Sequence, residues 1–289
     1  MLDVVRLRVL VAVARTGSLT AAAKELHYSQ PSISHHLARL EAETGARLLQ
    51  RAGRGVRLTE TGRLLAERAA DIIGRLDATE EELAAHVGLR SGRVRLAAFP
   101  SALGTFVPRA AMRLARDHPG LRLHLTETEP PEALRLLRAG RVDVAVVFRY
   151  DDTAPDDGGN TTVHLLDDPS YLVTAAAEAQ PGELAAHAHS PWIAGCDRCR
   201  SHLLDLCAKA GFVPRISFTS DDIVAVQALV AAGLGLTLLP GLALRAHRHP
   251  DVRASEVPGS TRHVYAALHG DPPHPPAAEA LLAALRDAV

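Results

Sequence analysis

The chain is poor in aromatic residues, which fill only 3% of its 289 positions; it has two lysines, Lys24 and Lys209, and three cysteines. Three cysteines cannot make a disulfide framework in a chain of this size, so a reducing, cytoplasmic setting is expected. Charge of one sign is also lacking: 32 Lys and Arg face 33 Asp and Glu, and any nucleic-acid surface must therefore be local. Long uncharged runs are nearly absent. The best membrane candidate, Ile223 to Pro240, follows Asp221-Asp222 and contains Gly233, which reads as a buried helix, a turn and a buried strand. Charges at Asp3, Arg6 and Arg8 break the first apolar run and argue against a signal peptide. No membrane partner is expected. With 47% hydrophobic residues the chain can bury real cores, which excludes disorder throughout.

The charge that is present is unevenly spread. Residues 1–58 carry nine basic residues against four acidic ones, whereas 59–88 carry three against seven. A compact basic head followed by an acidic helical stretch is concealed by the neutral total. In the head, Val4 to Ala14 is apolar on a helical period and stops at Gly17. Ser18 can cap Leu19 to Leu26, and Ser29 can cap Gln30 to about Thr44, with Pro31 in its first turn. Ile33, Leu37 and Leu40 form the inward stripe of that third helix, ended by Gly45. Gln30, Ser32, Ser34, His35, His36 and Arg39 are left for solvent or a partner. The run from Arg51 to Arg57 sets Arg51, Arg54 and Arg57 among two glycines and reads as a basic hairpin wing. Thr59 can cap a helix from Glu60 to about Val87, whose seam is Leu65, Ala69, Ile72, Leu76 and Leu83, with Thr79 filling the gap. That seam can pair two chains or pack on its own domain.

From Arg93 the pattern alternates: strand Arg93–Phe99, helix Leu103–Asp117, strand Leu121–Thr126, helix Pro131–Ala139, strand Val142–Phe148. This argues for an open parallel sheet. A polar loop, Asp151 to Thr162, precedes a second run. It comprises strands near Tyr171–Thr174 and Trp192–Ala194, helix Asp197–Ala210, strand Arg215–Thr219, helix Asp222–Ala232 and strand Leu234–Leu239, with a strand His263–His269 and a last helix from about Pro276. Two α/β lobes imply a cleft between them.

A helix-turn-helix sets the polar start of its second helix against base edges in the major groove, and hydroxyls and arginines against phosphates. Here that start is Gln30-Pro-Ser-Ile-Ser-His35. The strings SLTAAAKELHYSQPSISHHLARLE over 18–41, GARLLQR over 45–51 and VRLTETG over 56–62 closely resemble the LysR-type transcriptional regulators. The resemblance covers the whole chain. It implies an α plus α/β architecture: a winged helix-turn-helix DNA-binding domain (1–58), a linker and dimerisation helix (59–90) and a two-lobed, periplasmic-binding-protein-like effector-binding domain (91–289). Lobe I of the latter covers about 91–163 and 267–289, and lobe II about 164–266. It further implies a non-enzymatic regulator, a homodimer or homotetramer, binding double-stranded DNA at an interrupted inverted repeat and bending it differently when a small-molecule effector fills the cleft. Contact with RNA polymerase is a further expectation. No cofactor and no resident metal are expected. Two departures stand out: Leu49 replaces a usual aromatic, and His35 stands where many relatives have Arg, so a bidentate Arg–guanine contact is not available there.

In the first lobe, Ser101 and Ala102 sit where a strand meets a helix, and neighbouring N–H groups can hold an anion; a plain helix cap is the other reading. Thr128 and Phe148 face the same cleft edge if the sheet is parallel. In the second lobe Cys196 stands at a helix start facing the cleft. Cys196, Cys199 and His202 together suggest a rival trigger, redox or metal, although one Cys-x-x-Cys supplies two ligands where structural zinc takes four. A Cys-His nucleophile would need an orienting group and an oxyanion site, and neither accompanies it. Cys207 reads as core. His187, His189, His247 and His249 read as solvated, Asp151-Asp152 with Asp156-Asp157 as a solvated hinge entry, and Gly233-Leu-Gly235 as a cap and turn.

Overall fold

The computed structural model describes residues 2–52, 55–86, 92–151, 159–177 and 183–289. It divides into two compact units, Met1–Arg90 with Arg135–Arg141, and Ser91–Leu134 with Val142–Val289.

The first unit is built from α1 (Val4–Thr16), α2 (Leu19–Leu26), α3 (Gln30–Thr44), the hairpin β1 (Leu49–Ala52) and β2 (Gly55–Leu58), and α4 (Glu60–His86). Local capping sets the breaks between helices. Ser18 and Ser29 accept the N–H groups of Ala21 and Ser32 at 3.3 Å each, and α1 and α3 end on Gly17 and Gly45 in the left-handed region, which glycine adopts without a Cβ clash. Leu7, Leu10 and Val13 of α1 meet Ala22 and Ala23 of α2 and the expected stripe Ile33, Leu37 and Leu40 of α3. The wing root is anchored by Glu41, whose Oε1 accepts the N–H groups of Leu48 (2.7 Å) and Leu49 (3.2 Å). Thr59 caps α4 as expected, accepting the N–H of Gly62 at 3.0 Å and donating to the Arg47 carbonyl at 2.7 Å.

The expected seam of α4 divides in two. Ala69 is fully buried in the head's own core, and Leu65 packs against that core. Ile72 (46% exposed) and Leu76 (39%) face outward, joined by Leu64 (57%), which lay off the expected seam. One face of the helix packs on its own domain, and another keeps Leu64, Ile72 and Leu76 exposed. The side chain of Leu83 lies outside the described ones.

The second unit contains β3 (Gly92–Ala98), α5 (Pro100–Leu103), α6 (Val107–Asp117), β4 (Leu121–Glu127), α7 (Pro130–Arg138), β5 (Val144–Tyr150), β6 (Asn160–Ala175), β7 (Pro191–Ala194), α8 (Asp197–Lys209), β8 (Arg215–Thr219), α9 (Ile223–Ala231), β9 (Leu236–Pro240), α10 (Gly241–Ala246), β10 (Val252–His269) and α11 (Pro276–Arg286), the last α7 residues excepted. The single helix expected from Leu103 is two, because Pro108 suits only the first turn of a helix and starts α6 anew. The uncharged run from Ile223 resolves, as expected, into α9, a turn at Gly233 and β9. Among the described residues no helix is long and apolar enough to cross a membrane.

Strands order as β4-β3-β5-β10-β6-β9-β7-β8. Each flank is parallel, β3 with β4 and β5 on one side and β7 with β8 and β9 on the other, but the middle is antiparallel, which corrects the expected open parallel sheet. The two central strands are far longer than the short segments near Tyr171–Thr174 and His263–His269. Their polar residues and Pro169 hide the alternation, since proline ordinarily marks a strand edge. Residues Asn160–Pro169 pair with Thr261–His269 alongside β5, and Tyr171–Ala175 pair with Val252–Glu256 alongside β9, with a register break over 257–260. Both strands therefore pass from one lobe to the other, crossing at Pro169 and at 257–260 rather than near 163 and 267. The first lobe's core gathers Leu96, Phe106, Leu114, Val146, Leu281 and Leu285; the second buries Val173 and Ile193 on one sheet face and Leu172 and Trp192 on the other.

A buried ion pair sits at the crossing. Arg262 and Asp168 are ladder partners, 2% and 1% exposed, with Nε of Arg262 donating to Asp168 Oδ2 at 2.9 Å. Arg262 Nη2 also donates to Ser101 Oγ (2.8 Å), and Asp168 Oδ1 accepts the N–H of Leu242 in α10 (2.8 Å). Phe99 and Phe148 flank the guanidinium, their ring centres 4.8 and 4.5 Å from its carbon. Both carboxylate oxygens of Asp168, and Nε and Nη2 of Arg262, are thus hydrogen-bonded, with two rings beside the guanidinium.

The backbones of α4 and the wing root approach closely at Gly62, where a Cβ would lie 2.1 Å from the Leu48 carbonyl oxygen. Gly62→Ala forces α4 off the wing root and is expected to destabilise the first unit by about 1–3 kcal/mol. Urea unfolding of wild type and variant measures it, and an unchanged midpoint would contradict this packing.

Candidate DNA-binding head and effector cleft

Pro31, His35 and Arg39 recur every four residues along α3, with Gln30 and Ser34 beside them, opposite the buried Ile33, Leu37 and Leu40. Gln30, Pro31, His35 and Arg39 are exposed, whereas Ser32 and Ser34 are half-buried. Ser32 is partly spent on the cap, its hydroxyl 2.8 Å from that of Ser29, and Ser34 accepts from Gln30 Nε2 at 3.4 Å. The start of α3 is held by its own hydrogen bonds before any partner arrives. In the wing, Arg57 is exposed and pairs with Gln50 across the hairpin; Arg51 pairs with Val56. Arg54 lies outside the described residues, as does the side chain of Arg51. One exposed residue was not singled out from the sequence: Tyr28, in the turn before α3, 44% exposed with its ring 5.6 Å from that of His36. An exposed aromatic in so aromatic-poor a chain was the available signal.

Between the lobes lies a cleft with about 530 Å³ of empty space, the open solvent at its mouth included. The first lobe lines it with Phe99, Ser101, Glu129, Phe148 and Arg262, the second with Cys196, Cys199, Asp221, Ile223, Leu239 and Ala243. Of the residues expected there, Ser101, Phe148 and Cys196 are present. Ser101 is no helix cap: Phe99 holds the N-cap position of α5, and the Ser101 hydroxyl is bound by Arg262. Ala102 is fully buried in the apolar core. Thr128 does not line the cleft; its N–H bonds the Ala98 carbonyl at 3.1 Å, and the next residue, Glu129, takes the cleft position. Burial raises the Glu129 carboxyl above its ordinary value, and its buried Oε2 has no hydrogen-bond partner.

Cys196 occupies the N-cap position of α8 and Cys199 its first turn, with the two Sγ atoms 3.2 Å apart. Cys196 donates to Cys199, which lowers the Cys199 thiol; the same bond together with burial raises Cys196. His202 does not join them. Its ring stacks on Tyr150 at 3.7 Å and its Nε2 is 2.8 Å from Ser260 Oγ, while the Tyr150 hydroxyl reaches toward Cys199 at 3.9 Å. Tyr150 stands between histidine and thiols, so neither a three-residue metal set nor a Cys-His nucleophile is assembled. Cys207 is fully buried, its thiol raised to about 11 by desolvation, in keeping with a core position. Of the acidic loop, 152–158 lies outside the described residues.

Two family models match the chain: the bacterial regulatory helix-turn-helix protein, lysR family, over residues 4–63, and the LysR substrate binding domain over 88–289. The HTH-type transcriptional regulator TfdS of Cupriavidus pinatubonensis is 29% identical, with 91% of this chain and 90% of that protein covered. The probable hydrogen peroxide-inducible genes activator of Mycobacterium avium is 32% identical, covering 81% of this chain and 76% of its own length. Among solved structures, CbnR, a LysR family transcriptional regulator, is similar in fold with a TM-score of 0.68 at 24% identity, covering 99% of each chain. Full-length CbnR complexed with its target DNA gives 0.67 at 24% identity over 100% of each. These relatives are transcription regulators, not enzymes. The chain belongs to the LysR family of transcriptional regulators, with a DNA-binding helix-turn-helix head and an effector-binding domain.

Proposed function

We propose that the effector of this regulator is a small carboxylic acid with an apolar body, bound in the cleft between the lobes. The observation that carries this reading is Glu129: a carboxyl raised by burial, its Oε2 without a partner, in a wall otherwise formed by Phe148, Ile223 and Leu239. The partnerless oxygen of Glu129 can accept a hydrogen bond from the hydroxyl of a carboxylic acid, and the N-terminus of α8 at Cys196 adds favourable backbone dipoles. The buried charge of Arg262 is balanced by Asp168, so the cleft is not a strong anion trap and leaves selectivity to shape. An effector that fits one lobe arrangement better than another shifts the balance between them, and paired linker helices pass the difference to the DNA heads as a change in spacing and bending. Recognition of an interrupted inverted repeat by α3 and the wing, assembly as a dimer or tetramer, contact with RNA polymerase and a cytoplasmic location belong to the same proposal.

A thermal-shift screen of small aromatic and aliphatic carboxylic acids tests the effector. Acids that raise the melting temperature of wild type should lose that effect in Ile223→Trp, whose indole fills the cleft from a half-buried position. Stabilisation that survives unchanged in Ile223→Trp would place the ligand elsewhere.

The exposed row Leu64, Ile72 and Leu76 supports pairing through α4. Light scattering should show Ile72→Glu with Leu76→Glu shifted to a smaller species, because a charge desolvated at such a seam is costly. An unaltered mass would rule out this row as the dimer contact.

A further inference from the structure

On the outer face of the two central strands, three side chains outside the cleft converge on one point. His164 Nε2 and His263 Nδ1 each stand 2.7 Å from the same atom, Asp167 Oδ1, and among the described residues this is the only group of three potential metal-ligand side chains so placed. Residues 164 and 167 of a regular strand would face opposite sides of the sheet. The ladder here slips by one residue: Leu166 pairs with Val264 but His164 pairs with Tyr265, leaving Leu165 as the extra residue of a bulge. The bulge turns His164 onto the side of Asp167, and His263 lies directly across from Asp167 on β10.

We propose that His164, Asp167 and His263 form a binding site for a divalent transition-metal ion of the zinc class. Two imidazoles and one carboxylate suit such an ion, whereas calcium and magnesium take oxygen-rich sets. The second ring nitrogen of His263 is engaged: Nε2 lies 2.9 Å from Asp151 Oδ1 at the end of β5. A carboxylate holding the far nitrogen fixes the tautomer in which Nδ1 offers its lone pair, the usual support of a metal-bound histidine. Bonds of about 2.0–2.1 Å in tetrahedral array separate ligand atoms by about 3.4 Å, so each histidine nitrogen needs to draw back from the Asp167 oxygen by less than an ångström, and the three atoms already lie within 4.8 Å of one another. The side chains are 48%, 59% and 30% exposed, which gives an ion an entry path and leaves water for the remaining position. The rung Asp167–His263 is adjacent to Asp168–Arg262, and alternation puts the two on opposite faces. An ion held outside would clamp β6 to β10 next to the buried ion pair and so stiffen the lobe crossing.

The test is calorimetric titration of zinc into untagged, chelator-treated full-length protein, in a background with Cys196, Cys199 and Cys207 changed to serine so that thiols contribute nothing. One ion per chain is expected. His164→Ala and His263→Ala should each weaken binding at least tenfold, and Asp151→Asn about tenfold. Cobalt should give a visible spectrum without thiolate charge-transfer bands, and zinc should raise the melting temperature only where both histidines are present. Absence of binding in the folded serine background, or binding unchanged by His164→Ala and His263→Ala, would overturn the proposal.

Discussion

The buried pair of Arg262 and Asp168 is the interaction on which the effector domain depends. An unpaired guanidinium or carboxylate inside a protein costs several kcal/mol, so neither residue can be held there without the other. Their ladder position fixes where β6 and β10 leave one lobe and enter the next, because the register breaks immediately before Thr261. The remaining bonds of the pair extend this point outward: Ser101 at the start of α5, Leu242 at the start of α10, and the rings of Phe99 and Phe148. Cleft wall, strand crossing and first-lobe core are thus tied to one charge.

This arrangement has a functional consequence. The cleft is lined from both lobes but its one buried cation is already neutralised, so a ligand meets apolar side chains, a raised carboxyl and the start of α8 rather than a bare charge. Selectivity then rests on shape and on the partner-seeking oxygen of Glu129. The head is arranged in the same economical way: the polar face of α3 is held by its own cap and side-chain bonds, and the wing is fixed by Glu41 and Thr59 before DNA arrives.

The head was almost fully legible in the sequence, because what defines it is local. Ser18, Ser29 and Thr59 cap the helices that follow them, Gly17 and Gly45 end the helices that precede them, and Ile33, Leu37 and Leu40 fall on one period. The crossing strands were not legible, because pairing of residues 160–169 with 261–269 is a long-range event and Pro169 interrupts the pattern of β6. Arg262 could not be ranked among so many arginines, since its burial follows from Asp168, 94 residues away. Thr128 was preferred to Glu129 by one position, a choice set by the turn after β4 that spacing alone does not reveal. The seam of α4 was read as a single row, although Leu65 and Ala69 are claimed by the head while Ile72 and Leu76 stay outside. The grouping of His164 with Asp167 needs a bulge, which no periodicity announces.

The central claim is that one buried ion pair holds the crossing of the lobes. A double-mutant cycle on Asp168→Leu and Arg262→Met, followed by denaturant unfolding of the effector domain in the full chain, tests it directly. Each single change should destabilise by about 3–5 kcal/mol, because each leaves a buried charge uncompensated, and the double change should cost far less than their sum. Two small, additive losses would contradict the account.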